Sequence, residues 1–462
     1  MNPLPRILFF PALGLLAAGL AAAEFSAATP AELAAVLARA QPGDTIVLAD
    51  GTWRDAQVTL TAAGTAAAPV TVRARTPGRV IFSGDSSLTF AAPHVVVDGL
   101  LFTAGTTQRN SVVQFDSDHG RLTNSAIIDY NPPDVATGYY WVYFQGSHNR
   151  VDHIYFKGKS HQQPVVGNHI RGARHNTADY CHFADIPYVA GRNGREVFRI
   201  WGYGGNEELG DDGAFFTIEH NLFDRADGEG AEIISLKSNR NTVRFNTIIR
   251  TRGGITNRSG NFNTITDNII LCDGAEGAYG MRVTGRHHTV ARNYIRGGTY
   301  GLHLMAGEFI ERDLTGGYQP IKREGTPLGR VPAYSQAREN LVADNVLVDI
   351  AGVDFLLGNG YKSGWPRAQR VLVPELNRFT GNVVFKPRGG VAVDIAKQDT
   401  AAPLDGFAFG PNEFSDNRVL GGTVAHTPAP AGIAIAPAAG PAPAPPPVLT
   451  PADVGPAWRR RG

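Results

Sequence analysis

Short β-branched apolar runs alternate with polar turns along most of the chain, and one pattern returns again and again. An aliphatic residue is followed by two residues, an Asn, one residue, and an aliphatic or aromatic residue. It reads Ile218, Asn221, Phe223; then Val243, Asn246, Ile248; then Ile265, Asn268, Ile270; then Val290, Asn293, Ile295. The asparagines are 25, 22 and 25 residues apart, and a later copy is Val342, Asn345, Leu347. Weaker relatives surround Gly99, Asn124, His153, Asn382 and Asn417. A period of this length marks a solenoid. Short β-branched runs favour strands, and no heptad or long amphipathic pattern accompanies them. The pattern predicts an all-β chain: a right-handed, single-stranded parallel β-helix with one strand-turn-strand unit per period. An Asn at each turn can point inward and bond its counterpart in the next rung as a ladder. Leucine-rich repeats would need a denser Leu spacing, and a propeller blade would need a longer period.

The ends differ from the repeat. Pro30 to Ala40 predicts an amphipathic helix that caps the first rung and protects its edge. The stretch Gly297 to Asn340 breaks the period and is rich in Gly and Pro, so it reads as a loop excursion. The solenoid is expected over residues 24–426, with an irregular Ala/Pro-rich tail over 427–462. Residues 1–23 read as a signal peptide: Arg6, the apolar run Ile7 to Leu20, then Ala21 to Ala23 before the cleavage point. That implies export to the periplasm or medium, with no membrane span in the mature chain.

Composition fits this picture. Charged residues are 18% of the chain and Gly numbers 54, which suits turns and short strands more than long surface helices. The formal net charge of +1 gives no bulk attraction to nucleic acid, so a polyanionic partner would need a local basic cleft. Cys181 and Cys272 form no disulfide framework, and they are expected to lie several rungs apart, too far for a bridge.

Candidate chemistry gathers between Asp227 and Gly260. Lys237 and Arg258 are 21 residues apart, close to one period, so they are expected on one face of neighbouring rungs. Glu229 and Glu232 lie just upstream. Two cations and two carboxylates on one face suit an acidic sugar, although spacing alone describes solvated surface charges better. Arg282 follows Arg258 by 24 residues and extends the basic stripe to a third rung. In Arg286-His287-His288 the two histidines point to opposite strand faces, so a turn is expected there and not a metal site.

Several longer segments carry a resemblance. They are PGDTIVLADGTW (42–53), GTAAAPVTVRARTPGRVIFSG (64–84), VVVDGLLF (95–102), FKGK (156–159), AEIISLKS (231–238), GGITNRSG (253–260) and LTPADVGPAW (449–458). With them the chain resembles the family-6 polysaccharide lyases, which include alginate lyases and chondroitinase B. The resemblance implies that Lys237 is the Brønsted base and Arg258 the Brønsted acid of a β-elimination. It also implies a calcium site built from Asn193, Glu229 and Glu232, with Arg199, Ser259 and Arg282 on the substrate. Two positions depart from the family pattern. Gly230 stands where the first glutamate of Glu-x-Glu is usual, so Glu229 and Glu232 would face opposite ways on a regular strand unless a bulge realigns them. Ser259 stands where a histidine is common. The expected substrate is a uronate polymer, alginate before chondroitin or dermatan sulfate. The competing classes are a β-helix glycoside hydrolase, which needs two catalytic carboxylates, and a binding solenoid without activity.

Overall fold

The computed structural model describes residues 22–170, 172–202, 212–308, 310–312, 318–320, 334–365, 368–395 and 409–459. The expected signal peptide falls almost wholly outside them. Each apolar run becomes one strand, and the strands gather in three long parallel sheets of 14, 13 and 14 strands. One turn of the path runs through Val70–Ala74 in the first sheet, Val80–Asp85 in the third and Ser87–Phe90 in the second; Val95–Asp98 then opens the next rung. Equivalent residues stack in register: Ile218 lies beside Val243, Val243 beside Ile265, and Ile265 beside Val290. This is the right-handed parallel β-helix that the repeat predicts.

Alternate residues point inward and build one continuous core along the axis. Identical rings stack from rung to rung, as in Phe156 on Phe183 and Phe183 on Phe223, each with centroids 4.9 Å apart. Each such buried side chain contributes about 1.5–3 kcal/mol. The asparagines form the expected ladder. Asn221, Asn246, Asn268, Asn293 and Asn345 each donate to the next Asn Oδ1 at 3.0 Å. Each also donates to a backbone carbonyl, as Asn268 does to Val243 at 2.9 Å. The residue before the Asn takes the left-handed conformation that turns the corner, for example Asp267 with φ 57°. A second ladder runs through Asn241, Asn263, His288, Asn340 and Asn377. His288 is therefore a buried turn residue, and burial pushes its pKa down to about 4.

The helix spans Pro30–Leu37, three residues shorter than expected. Thr29 caps it by accepting from the Glu32 amide at 3.2 Å, and Leu33, Val36 and Leu37 are buried over the first rung. The period-breaking stretch is not all loop, because Leu302–Met305 continues the second sheet between Ala278–Val283 and Phe355–Asn359. The tail is not all irregular either: Ile433–Ala436 adds a last strand to the third sheet beside Asn417–Leu420. Cys181 and Cys272 are buried free thiols. Among the described residues no helix is long and apolar enough to cross a membrane.

Candidate active site

The second sheet presents the candidate residues. In Glu232–Lys237, Ile233, Ile234 and Leu236 enter the core, leaving Glu232, Ser235 and Lys237 outside. Two consecutive inward residues require an irregularity, and the pairing with Gly253–Ser259 shifts between Glu232 and Ile234. The preceding strand, Phe198–Trp201, repeats the arrangement: Val197, Phe198 and Ile200 are core, while Glu196, Arg199 and Trp201 remain outside. Arg199 stands beside Ser235, and Trp201 beside Lys237.

Lys237 and Arg258 come from adjoining rungs, as their spacing predicts. Asn257 pairs with Leu236 and Ser259 with Lys237, so Arg258 occupies a bulge next to the lysine. The Lys237 ammonium lies 3.1 Å from Glu196 Oε1 and 5.0 Å from the centre of the Trp201 ring. The Arg258 guanidinium lies 3.9 Å from the centre of the Tyr334 ring, which also carries Arg370 at 3.8 Å. Ser259 is buried at the end of its strand, facing the lysine position.

Glu229 and Glu232 do come together, and Glu196 joins them. One carboxylate oxygen from each lies within 4.8 Å of the others. Gly230 is the reason for the realignment. It turns at φ 77° with its amide bonded to the Asp227 carbonyl at 2.7 Å, and a Cβ there would meet the Tyr188 ring at 2.6 Å. Glu229 accepts from the Gly194 amide at 2.7 Å. Burial, then the charges of Glu196 and Glu232, push its pKa up to about 7. Glu232 accepts from Ser235 Oγ and from Arg282. Arg282 stands in the Arg199–Ser235–Thr256 column. Arg199 reaches Glu196 at 3.3 Å and donates to Gln163 Oε1 at 2.9 Å. Asn193 is exposed in the turn just before Gly194, and its carbonyl accepts from Gln162 at 2.5 Å.

An all-oxygen set of two deeply buried carboxylates and one half-buried one fits a hard divalent cation. Glu196 Oε2 accepts no hydrogen bond and faces only the Arg199 guanidinium, at 3.3 Å. The raised pKa of Glu229 reports its burial first and the neighbouring charges of Glu196 and Glu232 second.

Beneath the site two buried basic side chains hold the turns. Lys159 donates to the carbonyls of His161, Gln162 and Gln163 at 2.9, 3.2 and 2.6 Å, and burial pushes its pKa well down. Arg195 donates to the carbonyls of His161 and Gly228 at 3.2 and 3.3 Å, tying the turn that carries Glu196 to the one that carries Glu229. Sequence reasoning missed Glu196, Trp201 and Tyr334. A signal for the first two exists: Glu196-Val-Phe-Arg-Ile-Trp201 matches Glu232-Ile-Ile-Ser-Leu-Lys237 position by position. Tyr334 enters from the period-breaking stretch, and nothing in the repeat points to it.

The chondroitinase B family profile matches residues 27–401. Among solved structures, the chain is similar to the PL6 family polysaccharide lyase Pedsa3628 from Pseudopedobacter saltans. That match has 42% identity and a TM-score of 0.80, over 94% of this chain and 99% of that one. The PL6 family alginate lyase AlyGC matches at 27% identity and a TM-score of 0.72, over 90% of this chain and 53% of AlyGC. A mannuronic acid specific family 6 lyase from human gut microbiota shares the fold at 22% identity and a TM-score of 0.73, over 94% and 96% of the two chains. No curated protein matches the chain. A family match spanning most of the solenoid, together with a near full-length likeness to a solved lyase, makes this chain a member of polysaccharide lyase family 6, the family of chondroitinase B.

Proposed function

We propose that the protein cleaves a uronate-containing polysaccharide, alginate in the first place, by β-elimination on the outer face of the second sheet. The observation that carries this reading is the juxtaposition of Lys237 and Arg258 on adjoining rungs with three carboxylates beside them. In a 4-linked uronate the C5 proton is acidified by the neighbouring carboxylate, but only once that negative charge is offset. A calcium ion held by Glu196, Glu229 and Glu232, with Asn193 adjoining, would supply that neutralisation. Arg199 and Arg282 add positive charge in the neighbouring column and suit sugar carboxylates.

Lys237 removes the C5 proton. The C5–H electron pair becomes the C4–C5 double bond, and the C4–O bond breaks with its pair leaving on oxygen. Arg258 stabilises the departing oxygen and donates its proton, directly or through a water that it orients. To act as a base Lys237 must be in its neutral form when the sugar is bound. The products carry a C4–C5 double bond at the new non-reducing end.

Alginate is favoured because solved relatives bear alginate lyase names. The family profile's own name keeps a glycosaminoglycan as the second reading. The apolar stretch after Arg6 supports export. A panel of alginate blocks, chondroitin and dermatan sulfate, read by ultraviolet absorbance and product mass, tests the reading. Wild-type protein should release unsaturated oligosaccharides from alginate. Lys237→Ala should lower kcat by at least about 10²-fold with an unchanged unfolding temperature. Saturated products would mean hydrolysis, and near-normal turnover by a folded Lys237→Ala variant would remove this lysine from the mechanism.

A further inference from the structure

The outward column that holds Arg199 and Arg282 does not stop at the catalytic rungs. Residue by residue in parallel register it runs Gln114, Tyr143, Gly167, Arg199, Ser235, Thr256, Arg282. Toward the N-terminus its character changes from cationic to aromatic. In Tyr140–Phe144, the side chains of Trp141, Val142 and Phe144 are fully buried in the core, whereas Tyr140 and Tyr143 stay half-exposed on the outer face. Their rings lie 4.6 Å apart and are inclined by 37°. Gly167, in the next rung, leaves the space into which Tyr140 leans: a Cβ there would stand 2.5 Å from the ring. The aromatic surface therefore bridges the gap between Tyr143 and Arg199. Neither hydroxyl has a hydrogen-bond partner among the described residues. Burial, then Tyr140, pushes the Tyr143 phenol up to about 12, so it remains a neutral donor. One rung further, Gln114 is bound to the Asp116 carboxylate at 2.7 Å, and the column turns unfavourable to an anion.

We propose that Tyr140 and Tyr143 form a distal subsite for a sugar ring of the same acidic polysaccharide, three rungs from Lys237. This rests on the lyase reading above. Rungs are spaced by about 4.8 Å, so a polymer laid along the column spends roughly one sugar per rung, and the platform lies beyond the reach of a tetrasaccharide cut at its centre. A flat ring face binds the C–H face of a pyranose, and that face carries the recognition. The rings are uncharged and adjoin Arg199, so the platform recognises the sugar body while the arginines recognise the charge. The occupant is a continuation of the chain already held at Arg199, because the surface is continuous with that cleft.

The test compares kcat/KM on polymeric alginate with that on an alginate tetrasaccharide, for wild type, Tyr143→Leu and Tyr143→Phe. Leucine keeps apolar bulk and removes the flat face; phenylalanine keeps the face. The polymer-to-tetrasaccharide ratio should fall about ten-fold in Tyr143→Leu, carried by KM on polymer, and stay near wild type in Tyr143→Phe. An unchanged ratio in Tyr143→Leu, an equal loss on both substrates, or the same loss in Tyr143→Phe would overturn the subsite. Wild-type protein that splits no uronate polymer would overturn the lyase reading and this inference together.

Discussion

Glu229 shows how one backbone angle decides a site. By strand alternation it belongs on the side opposite Glu232, yet the left-handed turn at Gly230 swings it beside Glu232 and Glu196. The outcome is measurable through pH. The Glu229 carboxyl holds its proton to about pH 7 in the fold, against an ordinary value of 4.5. Between those values the native protein binds more protons than the unfolded chain, so stability falls as pH rises through that window and levels off above it. In chelator, the unfolding temperature should decline across this range, and Glu229→Gln should flatten the decline and raise stability above pH 7. Calcium should do the same for the wild type. An equal slope in the variant would show that Glu229 is not the group that titrates across this window. That Lys237 and Arg258 stand side by side was legible from their spacing, because a one-period separation on strands brings side chains together, while their roles were implied only by the family resemblance. Glu196 was missed, since its strand lies outside the recurrent Asn pattern and only the match of its segment to Glu232–Lys237 points to it.

The rung turn is the unit that repeats, and the asparagine ladder is what makes it specific. Asn268 is fully buried and donates to Thr266 and Val243 carbonyls and to Asn293, while its own oxygen accepts from the Asn246 amide at 3.2 Å. Asn268→Ala strands these partners in the core. An unsatisfied buried polar group costs about 1–3 kcal/mol, so the expected loss is about 3 kcal/mol, read from the urea midpoint. The turn is remote from Lys237 in its rung, and kcat should hold. A loss below about 0.5 kcal/mol would mean that the ladder is replaced readily by other partners. The ladder was predictable from the Asn spacing, because inward polar groups in a solenoid have only their rung neighbours to bond. The strand Leu302–Met305 was not, because the Gly- and Pro-rich sequence after it hides the one rung that the excursion interrupts.

Over the whole molecule the C-terminal segment returns along the solenoid toward its beginning. Its contacts descend in order: Pro443 accepts from Tyr294, Leu449 donates to Thr247, Gly455 donates to the Tyr180 carbonyl and Trp458 donates to the Asn124 carbonyl. Trp458 packs beside Ala126, Tyr155 and Ala184 and lies against Gly78, where a Cβ would sit 2.7 Å from its ring. The strap thus joins rungs that otherwise touch only their neighbours, and couples the two halves of a quasi-linear fold. Trp458→Ala should cost about 2 kcal/mol, below the full value for a buried Trp because the ring is half-exposed. The loss should appear as faster proteolysis and a lower unfolding midpoint, with turnover unaffected. An unchanged midpoint would show that the strap adds no stability.

By itself the sequence determined the solenoid, its inward faces, the asparagine turns, and the placing of Lys237 and Arg258 on one surface. All of these follow from local periodicity, and a parallel stack converts period directly into proximity. Only the tertiary structure decided what depends on departures from the period. It brought Glu196 to the other two carboxylates, placed Tyr334 on Arg258, aligned Tyr143 with the cationic column and folded the tail back over Asn124. Bulges, excursions and returning segments join residues whose separation along the chain carries no regular signal, so their contacts exist only once the rungs are stacked.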